Sequence, residues 1–295
     1  MTDAPSQKPR LLRVGRVITA AFKYLWKDAR RLIIVAWFAC VLASATRLLM
    51  EWLVFPWPPK IPDWMSSDYF DPPTWLMAFA LTPWLAMGWA FVLDEMEWDE
   101  GRRGTVRTPA GELAWLRFEL SGPVLIAAAI LAAVNAFDAL TRFAHGGIVD
   151  AIVASSDASD LVVTVSAALL TAVRVLIVVA VLVWCYLLAG MVLRDGTFSV
   201  GRLHTIMRGN WHRVIAIFLV LSIILRGIYQ LIEPAANRLI ARLTDSLEWT
   251  VQAALIRFVV DFPFQMLWIV SWAIIVGVVL HTLDPRPDGR TDIPA

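Results

Sequence analysis

Arg226 is the hardest charge in this sequence to place. It sits in the apolar run RVIAIFLVLSIILRGIYQLI, with no acidic residue three or four positions to either side, and Glu233 is two turns away. A guanidinium in such a setting needs an anion, either a carboxylate on another helix or a phosphate, which its planar fork fits well. Asp261 is the carboxylate expected at similar depth. Arg226, Asp261, Arg257 and Arg174 therefore form the candidate ion-pair or anionic-group site. Local partners are available to other arginines: Glu51 for Arg47, Asp138 for Arg142 and Asp261 for Arg257, each four residues away. Arg174 has no such neighbour and is expected to snorkel toward a polar boundary. Asp261-Phe262-Pro263 and Thr82-Pro83 mark points where a helix could break and free a carbonyl, as happens in some ion and substrate sites.

Other groups offer less chemistry. LDEMEWDEGRR, residues 93–103, holds five carboxylates, of which Glu95 and Asp99 would share a helix face; such clusters can hold a divalent cation. No second ligand set accompanies them, and Arg102 and Arg103 can neutralise them, so a solvated segment is the favoured reading. His204 and His212 lie eight apart and do not form a metal pair. Cys40 and Cys185 stand singly in apolar runs and read as packing residues. No catalytic triad, phosphate loop, metal motif or cofactor signature is present, so neither a metal nor a cofactor is expected. A non-enzymatic protein ranks first. A transporter or lipid flippase with a site near Arg226, Asp261 and Pro263 ranks second, and an enzyme last.

The elements that would hold these residues follow from composition. Hydrophobic residues make up 59% of the 295, charged residues 17%, and the mean hydropathy is +0.65. A soluble domain has about 45–50% apolar and about 25% charged residues, so the chain departs toward lipid on both counts. A net charge of +1 gives no pull toward nucleic acid. A bilayer core takes about 20 apolar residues as helix. Six runs fit: Leu32–Val54, Thr74–Leu93, Pro123–Leu140, Leu161–Leu193, Val214–Ile232 and Leu255–Leu280. Backbone groups in hydrocarbon must bond within their own segment, so the expectation is an all-α, polytopic integral membrane protein with six transmembrane helices. Most of the 26 Lys+Arg fall in the segments that are inside if the N-terminus is inside, which puts both termini in the cytoplasm. The basic start followed by LIIVAWFACVLASA imitates a cleavable signal, but the apolar run continues to Val54 and reads as a first span.

Two stretches resemble each other. RVGRVITAAFKYLWKDARR, residues 13–31, and SVGRLHTIMRGNWHR, residues 199–213, both carry V-G-R, apolar residues at helical spacing and a basic end before an apolar run. In the first, Val14, Val17, Ile18, Ala21 and Leu25 share a face, which predicts an amphipathic helix at the membrane interface with its basic residues near anionic headgroups. The second reads as the same kind of lead-in. A weaker copy is VRTPAGELAWLRFELSGP, residues 106–123, and Trp89, Trp184 and Trp272 fall in register in the spans that follow. Three helical-hairpin repeats, 11–100, 106–196 and 200–283, are thus possible within one membrane domain, 11–283, flanked by polar tails 1–10 and 284–295. The segment FPWPPKIPDWMSSDYFDPPTW, residues 55–75, is rich in Pro and Trp. It reads as an outer cap between two spans, or as a docking site for a membrane or periplasmic partner.

ITAAFKYLWKDARRLIIVAWF and TIMRGNWHRVIAIFLVLS resemble the leads of uncharacterised bacterial six-helix membrane proteins related to the membrane domain of some glycerophosphodiester phosphodiesterases. No polar stretch is long enough for a phosphodiesterase barrel. The resemblance implies a fold, not a reaction, and carries no catalytic residue; the expected place is a bacterial inner (cytoplasmic) membrane, with membrane lipids as partners.

Overall fold

The structure, a computed structural model, describes residues 12–54, 72–101, 121–155, 160–244 and 251–284. These form seven helices: α1 Val14–Val54, α2 Pro72–Gly101, α3 Gly122–Ser155, α4 Asp160–Asp195, α5 Val200–Met207, α6 Trp211–Thr244 and α7 Val251–Leu283. No strand occurs among the described residues. Five helices are long and apolar enough to cross a membrane, over Arg31–Met50, Gly122–Ile152, Leu161–Asp195, Trp211–Ile232 and Met266–Leu283.

The expected span Thr74–Leu93 lies in α2, which is not one of those five. The side chains at both its ends, residues 72–78 and 97–101, lie outside the described residues. It packs against α1, α3, α4 and α7, with Ala86, Met87, Trp89 and Val92 buried. It begins on Pro72 and Pro73, in the first turn where a missing N–H is tolerated, so the helix starts inside the stretch expected to be a loop.

Close packing at two glycines sets the helix spacing. A Cβ on Gly88 would lie 2.6 Å from Ile269 Cγ2, and one on Gly190 would run into Val276 and Leu280 of α7. Small residues allow such approach where apolar burial gives no net drive for helices to associate. The contacts also fix direction. Gly88 meets Ile269 while Leu93 lies at Gly277, so α2 and α7 run parallel. Tyr186 meets Trp272 while Gly190 lies at Val276, so α4 joins them. α1 runs antiparallel to α2, as Thr46 accepts from the Trp84 indole at 2.7 Å and Arg31 pairs with Glu95.

The two look-alike leads fold differently. Residues 14–54 are one uninterrupted helix, since no Pro or Gly occurs after Gly15. The second lead breaks between α5 and α6 at Arg208-Gly209-Asn210, where Gly209 takes φ +80°. The weak third copy falls mostly on residues 102–120, outside the described residues, as do most of the 55–75 segment and the two polar tails.

Pro83 leaves α2 continuous. Proline removes the N–H that would bond the Phe79 carbonyl. The buried Thr82 hydroxyl donates to that carbonyl at 2.8 Å instead. α7 likewise runs through Pro263 without a break.

Candidate functional site

Polar groups in the bundle gather at two levels. At the end where α2, α4 and α7 finish and α6 begins, a four-member network ties three helices together. Arg194 closes a two-pronged pair on Asp195, Nε to Oδ1 at 3.0 Å and Nη2 to Oδ2 at 3.1 Å. It also donates to Asp284, reaching Oδ2 at 2.9 Å and the backbone carbonyl at 3.3 Å. Arg202 of α5 completes the network, at 3.0 Å from Asp195 and 2.5 Å from Asp284. Two positive and two negative groups cancel, and the short helix α5 is fastened between the ends of α4 and α7.

Asn210 is buried in the turn before α6. Its Oδ1 accepts from the Leu12 backbone N–H at 2.9 Å, and Arg213 donates to the Leu12 carbonyl at 3.1 Å. The stretch SVGRLHTIMRGNWHR thus holds the start of α1. Ser199 caps α5 by accepting from the Arg202 N–H, Leu203 and Met207 bury, and His204 stacks on Trp184. Glu95 is buried and pairs with Arg31, and Asp94 beside it is exposed. The side chains of Glu97, Asp99 and Glu100 lie outside the described residues.

The second level is about 30 Å along α4, since twenty residues separate Arg174 from Arg194 at about 1.5 Å each. That matches the roughly 30 Å thickness of a hydrocarbon core. Here Asp138 of α3 is held by two arginines. Arg142 donates through Nη2 at 2.7 Å and Nε at 3.1 Å to Oδ2, and Arg174 donates to Oδ1 at 2.7 Å. The first pair is the expected i,i+4 contact. The second corrects the expectation of a snorkelling Arg174, which instead crosses to α3 and is only 21% exposed, against 60% for Arg142. One turn further out, the Thr171 hydroxyl donates to the Ala167 carbonyl, so the His145 Nε2 that lies 2.9 Å from it is the donor to Thr171. Asp138, Arg142 and Arg174 together carry a net +1.

Arg226, Arg257 and Asp261 are on α6 and α7, but their side chains lie outside the described residues, as does Glu51, the expected partner of Arg47. Of the four-residue candidate site, Arg174 alone is placed. Between the two polar levels the bundle is filled by rings. Trp89 and Trp272 meet Tyr186 edge-on at 5.0 and 5.3 Å, and Phe218 stacks on Trp272 at 5.6 Å. Among the described residues the Trp89 and Trp272 indole N–H groups have no hydrogen-bond partner, so ring packing holds this cluster. Trp184, in register with them by sequence, turns instead to Trp211 and His204, and Tyr186 takes the central place. Both cysteines are free thiols. Among the described residues no group of three His, Cys, Asp or Glu is placed to hold a metal ion.

No family model, no curated protein and no solved structure matches the chain.

Proposed function

We propose that this chain is a six-span, non-enzymatic protein of the bacterial inner membrane, with both termini in the cytoplasm, whose work is contact with lipids or a membrane partner. One observation carries the reading. The half-buried charges of the two polar levels pair with one another, while large apolar side chains such as Leu125, Leu140, Leu169, Leu176 and Ile223 face outward. A surface of that kind suits lipid or an apolar partner. α2 counts as the sixth crossing because its contacts with α1 run from Arg31–Glu95 to Thr46–Trp84, about 20 Å of shared depth at about 1.5 Å per residue. A kinship with the membrane domain of glycerophosphodiester phosphodiesterases fits this topology.

The test is extraction and lipid analysis of the full chain from its own membrane. Retention in the membrane pellet at alkaline pH, and a lipid or protein set enriched over the bulk membrane, are expected. Release into the soluble fraction would refute the membrane reading. A bulk-like lipid profile with no partner would refute the contact reading.

A further inference from the structure

The two polar levels are balanced differently. At the Arg194 level two arginines meet two aspartates, and their charges cancel. At the Asp138 level two arginines share one carboxylate, so one positive charge is left over. Asp138 is already engaged on both oxygens, Oδ2 by Arg142 and Oδ1 by Arg174. Each guanidinium keeps one terminal nitrogen, Nη1, with no hydrogen bond to any described residue. Arg142 is 60% exposed and Arg174 21%, so the pair opens to the outside of the bundle. A planar fork with spare N–H groups and surplus charge suits a phosphate.

The surroundings say which kind of phosphate. The pair lies about 30 Å from the Arg194 level, at the far boundary of a hydrocarbon core. On its core side stand Leu140 of α3 and Leu176 and Ile177 of α4, all exposed. α3 makes its main contacts with α2 and α4, which leaves the face carrying Leu140 and Arg142 open. One turn outward, His145 and Thr171 bond across the same two helices and hold them at a fixed separation beside the arginines. A phosphate dissolved in water gains nothing from the exposed leucines, whereas one that carries acyl chains can lay them there.

We propose that Arg142 and Arg174 hold the phosphate of an anionic phospholipid on the outer surface of the α3–α4 pair. The Nη1 groups donate to the phosphate oxygens, and the acyl chains run along Leu140, Leu176 and Ile177 toward the middle of the membrane. Asp138 is the positioning residue, because it fixes both guanidinium groups from the side away from the lipid. This site rests on the membrane reading above and adds to it a bound lipid of defined charge at a defined place.

The experiment places a photoreactive benzoyl-phenylalanine at Leu140 in the full-length protein. The protein is set in nanodiscs of equal phosphatidylglycerol and phosphatidylcholine, and lipid adducts are counted by mass spectrometry. The same group at Val220, exposed on α6, reports ordinary boundary lipid. Expected at Leu140 is a preference for phosphatidylglycerol of about fivefold, the effect of one uncompensated positive charge near anionic headgroups. Near parity is expected at Val220. Arg142→Gln removes the surplus charge and should bring Leu140 to parity, while Lys23→Gln, which removes an exposed charge elsewhere, should leave the preference intact. The comparison of Leu140 with Val220 needs neither variant, so it decides the matter even if Arg142→Gln does not fold. Excess inorganic phosphate should leave the Leu140 adduct unchanged; its loss would show that the site takes free phosphate and would overturn the lipid assignment. Parity at Leu140 in the wild type, an equal preference at Val220, a preference that survives Arg142→Gln in a folded sample, or a protein–protein crosslink in place of the lipid adduct would each overturn the proposal. A Val220 lipid adduct alongside any of these leaves the membrane reading standing, whereas no lipid adduct at either position defeats both.

Discussion

Asp138→Ala should be among the most damaging single changes on the α3–α4 pair. It removes an acceptor that takes hydrogen bonds from two arginines. The two halves are unequal. Arg174 is mostly covered, and a hydrogen bond between charged groups in such a place contributes about 1.5–3 kcal/mol. Arg142 is 60% exposed, and an exposed i,i+4 pair contributes about 0.3–0.5 kcal/mol. Asp138→Ala should therefore cost about 2–3 kcal/mol, Arg174→Ala nearly as much, and Arg142→Ala no more than about 0.5. A change of 1 kcal/mol moves the midpoint by about 2–4 °C in a protein of some 200 residues. Melting in a mild detergent should then fall by about 5 °C for Asp138→Ala and about 1 °C for Arg142→Ala. The double variant lacking both Asp138 and Arg174 should melt close to Asp138→Ala, because each single change already breaks the same bond. Strictly additive losses, or an Arg142→Ala loss equal to that of Arg174→Ala, would refute the unequal partition.

Asn210→Ala leaves the Leu12 N–H buried without its acceptor and should cost about 1–3 kcal/mol; proteolysis near residue 12 should quicken with it, and an unchanged cleavage rate would argue against the tether. Gly190→Leu forces a side chain into Val276 and Leu280 and should destabilise by about 1–3 kcal/mol or more, seen as a lower detergent melting temperature, whereas Gly201→Leu, with open space around it, should melt like wild type. Thr82→Val strands the Phe79 carbonyl beside Pro83 and should cost about 1 kcal/mol; a neutral result would mean that another donor reaches that carbonyl.

How far the sequence reveals this molecule depends on whether a feature is local. Runs of apolar residues point to helices because hydrocarbon leaves the backbone no other choice, and five of the six runs fall in span-length apolar helices. The Arg142–Asp138 pair is legible because both residues lie on one helix, four apart. The Arg174–Asp138 bond joins residues 36 apart, and no spacing rule reaches across a helix hairpin. Arg31–Glu95 and Asn210–Leu12 were hidden for the same reason. α2 was legible as an apolar run, but its packing against four other helices was not, because enclosure depends on neighbours. The look-alike leads share letters but not conformation, since Gly209 breaks the second while nothing breaks the first.

A reporter active only in the cytoplasm tests the six crossings most directly. Fused after residue 105 or at the C-terminus it should be active, and fused near 66, 150 or 245 it should be silent. The fusion after residue 105 decides the standing of α2. Silence there, together with silence at 66, would mean that α2 does not cross, and it would contradict the six-span arrangement on which the orientation of every later helix depends.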